Sequence, residues 1–193
     1  MNLELENKLT IKTRQELRQW LDIYGKTEKV CWVPVTIKSQ PDTLMYLDVV
    51  EEALCFGWID STKKKIGTEV FQRLSPRRKN SNWTELNKER VRRLEKLGLM
   101  TDDGRLCLPN MSEEAFEIHP IILAAFKEEE PSVYKNFLAF PKVYQRIRID
   151  TIQSCLKEKN QETFDKRLDK FLKNTANNQM YGPWHDEGRL LGD

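Results

Sequence analysis

The chain has 193 residues, a net charge of +2, 39% apolar and 32% charged residues, five Trp and eight Phe. It is long enough to bury a core without disulfide support and too rich in aromatics to remain disordered. Its N-terminus places acids where a secretory signal needs a basic start, and no window approaches the ~20 apolar residues of a spanning helix, which argues against export and membrane insertion and for a cytoplasmic location.

Residues 13–24 read as an amphipathic helix, with Leu17, Trp20, Leu21 and Tyr24 at spacings of three and four and Gly25 as its terminator. Residues 29–38 are rich in β-branched and aromatic side chains and read as a strand, which Pro34 directs to a sheet edge or a bulge because it lacks an amide donor. A helix capped by Asp42 or Thr43 is expected to run to about Phe56, where Gly57 supplies a left-handed terminus. Two runs, 58–61 and 68–74, then flank a turn region at 63–67 and form a hairpin, with Lys63, Lys64 and Lys65 as its solubilising tip.

Asn82 and Glu85 have the spacing of a capping box, opening a helix that Gly98 closes. Trp83, Leu86, Leu94 and Leu97 are expected on its core face, and Lys88, Arg92, Arg93 and Lys96 in solvent. Residues 100–112 have the composition of a connecting loop. Beyond it, residues 120–127 and 131–140 read as short helices opened by proline, and 141–159 and 162–175 as a helical hairpin joined at Asn160-Gln161. The tail from Asn177 lacks a period and reads as irregular. The expected fold is therefore α+β: an N-terminal unit at 1–110 with a small antiparallel sheet packed by helices, then a helical part at 111–193, the two forming one compact domain.

Charge is distributed unevenly. Residues 63–97 hold 12 Lys or Arg against 4 acids, so this stretch carries about +8 and the rest of the chain about −6. Arg73, Arg77, Arg78 and Lys79, near Ser75, Asn80 and Asn82, have the chemistry of an oxyanion receptor, since guanidinium forks match phosphate and carboxylate and a following helix N-terminus adds backbone donors. Trp58 and Trp83 bracket this run as stacking walls or as core residues. Asp60 is placed to orient an arginine or to act as a general base. A structural alternative pairs Arg73 or Arg77 with Asp60 or Glu52. The candidate ligand-binding set is thus Trp58, Asp60, Arg73, Arg77, Arg78, Asn82 and Trp83, with Asp60 the one catalytic candidate.

Cys31, Cys55, Cys107 and Cys155 lie far apart and read as free thiols, and with two histidines in the chain neither a metal nor a cofactor is expected. No RNA-recognition, helix-turn-helix or Gly-rich phosphate motif supports sequence-specific nucleic-acid binding.

The run Glu52-Ala53-Leu54-Cys55-Phe56-Gly57-Trp58-Ile59-Asp60, followed by Gln72-Arg73, Pro76-Arg77-Arg78 and Ser81-Asn82-Trp83, with Asn87, Arg90, Leu94, Gly98 and Met100, resembles the YdeI/OmpD-associated family, whose name carries a bacteriocin-protection label. Trp20-Leu21 fits that family's early helix. Pro120 with Ala125-Phe126 resembles the start of its helical part, a weaker match because Cys155-Leu156-Lys157 and Glu162-Thr163-Phe164 replace its basic pattern. The resemblance implies no catalytic group. Three readings follow: a non-enzymatic binder of a phosphate- or carboxylate-bearing small molecule or polyanion, a small enzyme using Asp60 on an anionic metabolite, and a stress or bacteriocin-protection protein acting through protein partners.

Overall fold

The computed structural model describes residues 5–38, 43–78 and 81–191. The chain divides into two compact units, Met1–Asn82 with Arg90–Pro109, and Trp83–Glu89 with Asn110–Asp193.

In the first unit, α1 (Arg14–Tyr24) starts at a complete capping box: the Thr13 hydroxyl accepts from the Glu16 N–H, and the Glu16 carboxylate accepts from the Thr13 N–H. Leu17 and Leu21, one turn apart, are fully buried. Gly25 ends the helix in a right-handed conformation, donating to Leu21 O. Among the described residues the sheet has three antiparallel strands, with β1 (Cys31–Val35) and β2 (Trp58–Ile66) as edges and β3 (Glu69–Pro76) between them.

Pro34 sits on an edge strand, as its missing donor requires. Backbone polar groups on alternate residues of β1 face outward. Trp32 exchanges bonds there with Asn7 and Leu9, and Thr36 with Leu44 and Tyr46. Pro34 falls between these two bridges, so no ladder bond is lost.

The same bridge corrects the start of the next helix. Pairing with Thr36 holds the backbone extended through Met45, so α2 (Tyr46–Cys55) begins after it, without a side-chain cap from Thr43. Asp42, the other expected cap, lies outside the described residues. Gly57, at φ +71°, turns the chain from α2 into β2.

The lysine run is not a hairpin tip. Lys63, Lys64 and Lys65 lie within β2, paired with Gln72, Phe71 and Val70, and the turn shrinks to Gly67 and Thr68. An exposed edge strand gains no burial from apolar side chains, and lysines there discourage pairing with other chains. Between Asp60 and Lys63 β2 takes one residue more than β3, a bulge.

Helix α3 (Glu85–Lys96) has a different cap from the expected one. Thr84 Oγ1 accepts from the Asn87 N–H at 3.2 Å, and Glu85 occupies the first helical position, so Asn82 and Glu85 do not form a capping box. Its far end follows expectation: Gly98 is left-handed at φ +67° and Leu99 N–H reaches Leu94 O. Leu97, expected in the core, is 49% exposed. A short helix, α4 (Asp102–Arg105), capped by Thr101, occupies part of the expected loop.

The second unit holds α5 (Pro120–Glu128), α6 (Pro131–Ala139), α7 (Lys142–Lys157) and α8 (Gln161–Ala176). His119 Nδ1 caps α5 and Asn160 Oδ1 caps α8. Phe126, Phe137 and Phe171 meet at centroid distances of 5.0–5.8 Å and centre a core that also contains Tyr144, Ile149 and Ile152. Each such side chain contributes about 1.5–3 kcal/mol on burial. The tail is less irregular than expected, because Trp184 enters this core edge-on to Tyr144 at 5.3 Å and a 3-10 turn follows at Asp186–Gly188. Arg146, also buried, bonds to Glu89 and to Glu113 at 2.6 Å, with Glu85 at 3.8 Å. Lys88 pairs with Glu85 at 2.7 Å and its side chain is only 16% exposed, so it is not solvated. Among the described residues no helix is long and apolar enough to cross a membrane.

Candidate functional site

Helix α2 and the hairpin place the predicted residues in separate environments. Trp58 is 1% exposed; its Nε1 donates to Gly25 O at 3.1 Å and its ring meets Trp20 edge-on at 5.9 Å. Asp60, half-buried, accepts from the Tyr46 hydroxyl at 2.8 Å. Arg73 lies opposite Trp32 in the ladder, with a guanidinium nitrogen 3.5 Å from Ser61 Oγ. Arg78 and Asn82 are exposed, and Trp83 is half-buried and groups with the second unit. Lys79 and Asn80 lie outside the described residues.

The residues that do converge are Arg77, Ser81 and Asn82. Arg77 is buried, and its guanidinium donates to Ser81 Oγ at 3.3 Å and Asn82 O at 3.1 Å while its own N–H bonds Gly57 O. Burial pushes the Arg77 guanidinium down to about 10, partly opposed by the negative charge of Asp60 and by Cys107.

The carboxylates of α2 are engaged by arginines from other helices. Glu52 accepts from Arg14 Nε at 2.6 Å and Arg18 at 2.9 Å, and Glu51 from Arg14 at 2.6 Å and Arg93 at 3.0 Å. Both acids are almost fully buried. Burial alone would lower the Arg14 guanidinium, but its bonds to Glu52 and then Glu51 raise it above its ordinary value. Arg18 also donates to Leu99 O at 2.8 Å. The structural bridge to Glu52 is therefore made by Arg14 and Arg18 rather than by Arg73 or Arg77, and Arg93 is bound rather than solvated.

A feature that sequence reasoning missed lies against β1 and β3. A cavity of about 790 Å³ is walled by residues 8–12, 34–38, 43–44 and 68–71, with Lys63 reaching in from β2. Its charged lining is four lysines, Lys8, Lys12, Lys38 and Lys63, against one acid, Glu69. Lys8 Nζ rests 4.5 Å from the Phe71 ring centroid and Lys63 Nζ 3.7 Å from that of Tyr46. Among the described residues none of the four ammonium groups forms an ion pair, although Lys12 adds to the field that, after the Lys12 and Thr13 N–H groups, holds the Glu16 carboxyl below its ordinary value. The tripeptide Thr-Ile-Lys occurs at 10–12 and at 36–38, and both copies line the cavity. No local pattern marks the cavity, because the segments that wall it lie far apart in the chain.

A second cavity, of about 360 Å³, lies in the second unit against residues 117–120, Gln153, Leu156 and Lys157. Neither cavity draws on any of the seven predicted residues. Among the described residues no group of three His, Cys, Asp or Glu side chains is placed to hold a metal ion.

Two family models match the chain. Residues 9–107 match the domain of unknown function DUF8412, and residues 115–178 match the family described as Bacteriocin-protection, YdeI or OmpD-Associated. No curated protein and no solved structure matches. The second match covers α5 to α8, where the sequence resemblance was weaker, while the motif from Glu52 to Asp60 and the arginine run fall within the first. The first model spans just over half of the chain, so the chain belongs to the DUF8412 family, and its α5–α8 helices match the Bacteriocin-protection, YdeI or OmpD-Associated model.

Proposed function

We propose that the chain is a non-enzymatic binding protein for an anionic ligand bearing phosphate or carboxylate, held in the lysine-rimmed cavity beside β1. The observation that carries this reading is the lining itself, with four lysines and one glutamate around about 790 Å³. That volume falls within the range of about 300–1,000 Å³ common for small-molecule sites. Two of the cations rest on aromatic rings. Such contacts are worth about 0.5–1 kcal/mol at exposed sites, so an arriving anion displaces them at little cost.

In this reading the predicted cluster supports the fold around the cavity. Trp58 packs the start of β2, Asp60 is tied to α2 through Tyr46, and Arg77, just after β3, bonds Ser81 and Asn82. Arg73 and Arg78 add long-range positive potential. Calorimetric titration with tripolyphosphate and with citrate is the test. Binding is expected to weaken with salt, to be lost in the variant with Lys8, Lys12, Lys38 and Lys63 all changed to Gln, and to survive Arg78→Ala. Loss of binding in Arg73→Gln or Arg78→Ala, with the lysine variant unaffected, would return the site to the arginine run.

A further inference from the structure

We infer that the ligand of this cavity is an amphiphile, a small molecule joining a carboxylate or phosphate head to an apolar body. The inference rests on the anion-binding reading and adds the chemistry of the rest of the ligand. The cavity walls include Leu9, Ile11, Val35, Ile37 and Phe71, whereas the four ammonium groups belong to exposed side chains. Charge therefore sits at the rim and hydrocarbon on the walls. A bare phosphate or citrate would occupy one corner of about 790 Å³ and leave half-buried Ile11 and Val35 and exposed Ile37 in contact with water. Ile37, which lines this space, is 72% exposed, and a hydrocarbon body would cover its side chain.

The strand edge selects a small molecule over an extended peptide. A peptide adding to β1 needs free backbone donors and acceptors along the edge. Trp32 and Thr36 already spend theirs on Asn7, Leu9, Leu44 and Tyr46, and Pro34 has no N–H to offer. What remains between the two bridges is a side-chain-lined space, suited to a molecule recognised by its head charge and apolar volume.

The experiment uses the full chain and sodium hexanoate, octanoate and decanoate below their micellar concentrations, measured by displacement of anilinonaphthalene sulfonate. Burial of each added methylene is expected to tighten binding by up to about fourfold. Lys8→Gln with Lys63→Gln should weaken all three acids by the same factor. Ile37→Ser should flatten the dependence on chain length with the circular dichroism spectrum unchanged. Three results would overturn the inference while sparing anion binding: a flat series with tripolyphosphate still bound, decanol binding as tightly as decanoate, or binding confined to anionic vesicles. If neither the acids nor tripolyphosphate binds, the anion-binding reading falls as well.

Discussion

Glu52 is the residue through which α1 and α2 are most directly joined, and Glu52→Ala tests that role. The wild-type carboxylate is 1% exposed and accepts two charge-assisted hydrogen bonds, at 2.6 Å from Arg14 and 2.9 Å from Arg18. Removing one member of a buried pair costs about 3–5 kcal/mol, chiefly because the remaining charge is left uncompensated. Here the guanidiniums are about one-third exposed, and each keeps another acceptor, Glu51 for Arg14 and Leu99 O for Arg18. The low end of the range therefore applies, about 3 kcal/mol, which lowers Tm by about 6–12 °C in a chain of this size. Glu52→Gln, which keeps an acceptor but loses the charge, should fall between wild type and Ala. Chemical denaturation followed by tryptophan fluorescence measures both variants, with Trp20 and Trp58 reporting on the first unit. A loss below about 1 kcal/mol for Glu52→Ala would refute the assignment of this contact as a structural joint.

Asp150 accepts from the Glu85 N–H at the start of α3; burial holds its carboxyl above its ordinary value, the N–H pulls it down, and the Glu85 carboxylate pushes it up again. The folded state thus keeps this proton longer than the unfolded chain, so the site's contribution to stability declines as pH rises from about 3.8 through the raised value. Asp150→Asn, which keeps the acceptor, should remove that decline and leave stability at pH 7 unchanged or higher, whereas Asp150→Ala should cost about 1 kcal/mol in thermal denaturation. Burial pushes the Cys31 and Cys55 thiols up to about 12 and Cys155 is 1% exposed, so iodoacetamide should label half-buried Cys107 first, as read by peptide mass mapping. Gly57→Ala should cost more than Gly98→Ala in urea denaturation. Both glycines have positive φ, which costs about 1–2 kcal/mol for another residue, but an added Cβ at Gly57 meets Cys107 Sγ at 2.8 Å and at Gly98 meets nothing within 4 Å.

The elements that were legible in sequence have local causes. α1 and α5 to α8 have apolar periodicity together with Thr13, prolines or Asn160 at their starts, and each of these acts within a few residues. The hairpin was readable from its flanking runs, but the extent of β2 was not, because its Lys63–Lys65 pairing depends on β3 rather than on any pattern of its own. α2 starts late because of Thr36, ten residues upstream, and Trp184 enters the core against Tyr144, about forty residues before it. Distance along the chain also concealed the true partners of Glu52. The nearer arginines at 73 and 77 were the obvious candidates, yet Arg14 and Arg18 hold it from 38 and 34 residues away. The cavity was hidden for the same reason, since its Thr-Ile-Lys walls are brought together only by the bridges of Trp32 and Thr36 to their neighbours.

The most direct test of the binding proposal is to map backbone amide shifts in the isotope-labelled chain as tripolyphosphate is added. Saturable shifts at residues 8–12, 35–38 and 68–71, absent in the variant with Lys8, Lys12, Lys38 and Lys63 changed to Gln, are the predicted result. Shifts centred on residues 73–82, with the lysine-lined segments unmoved, would contradict it.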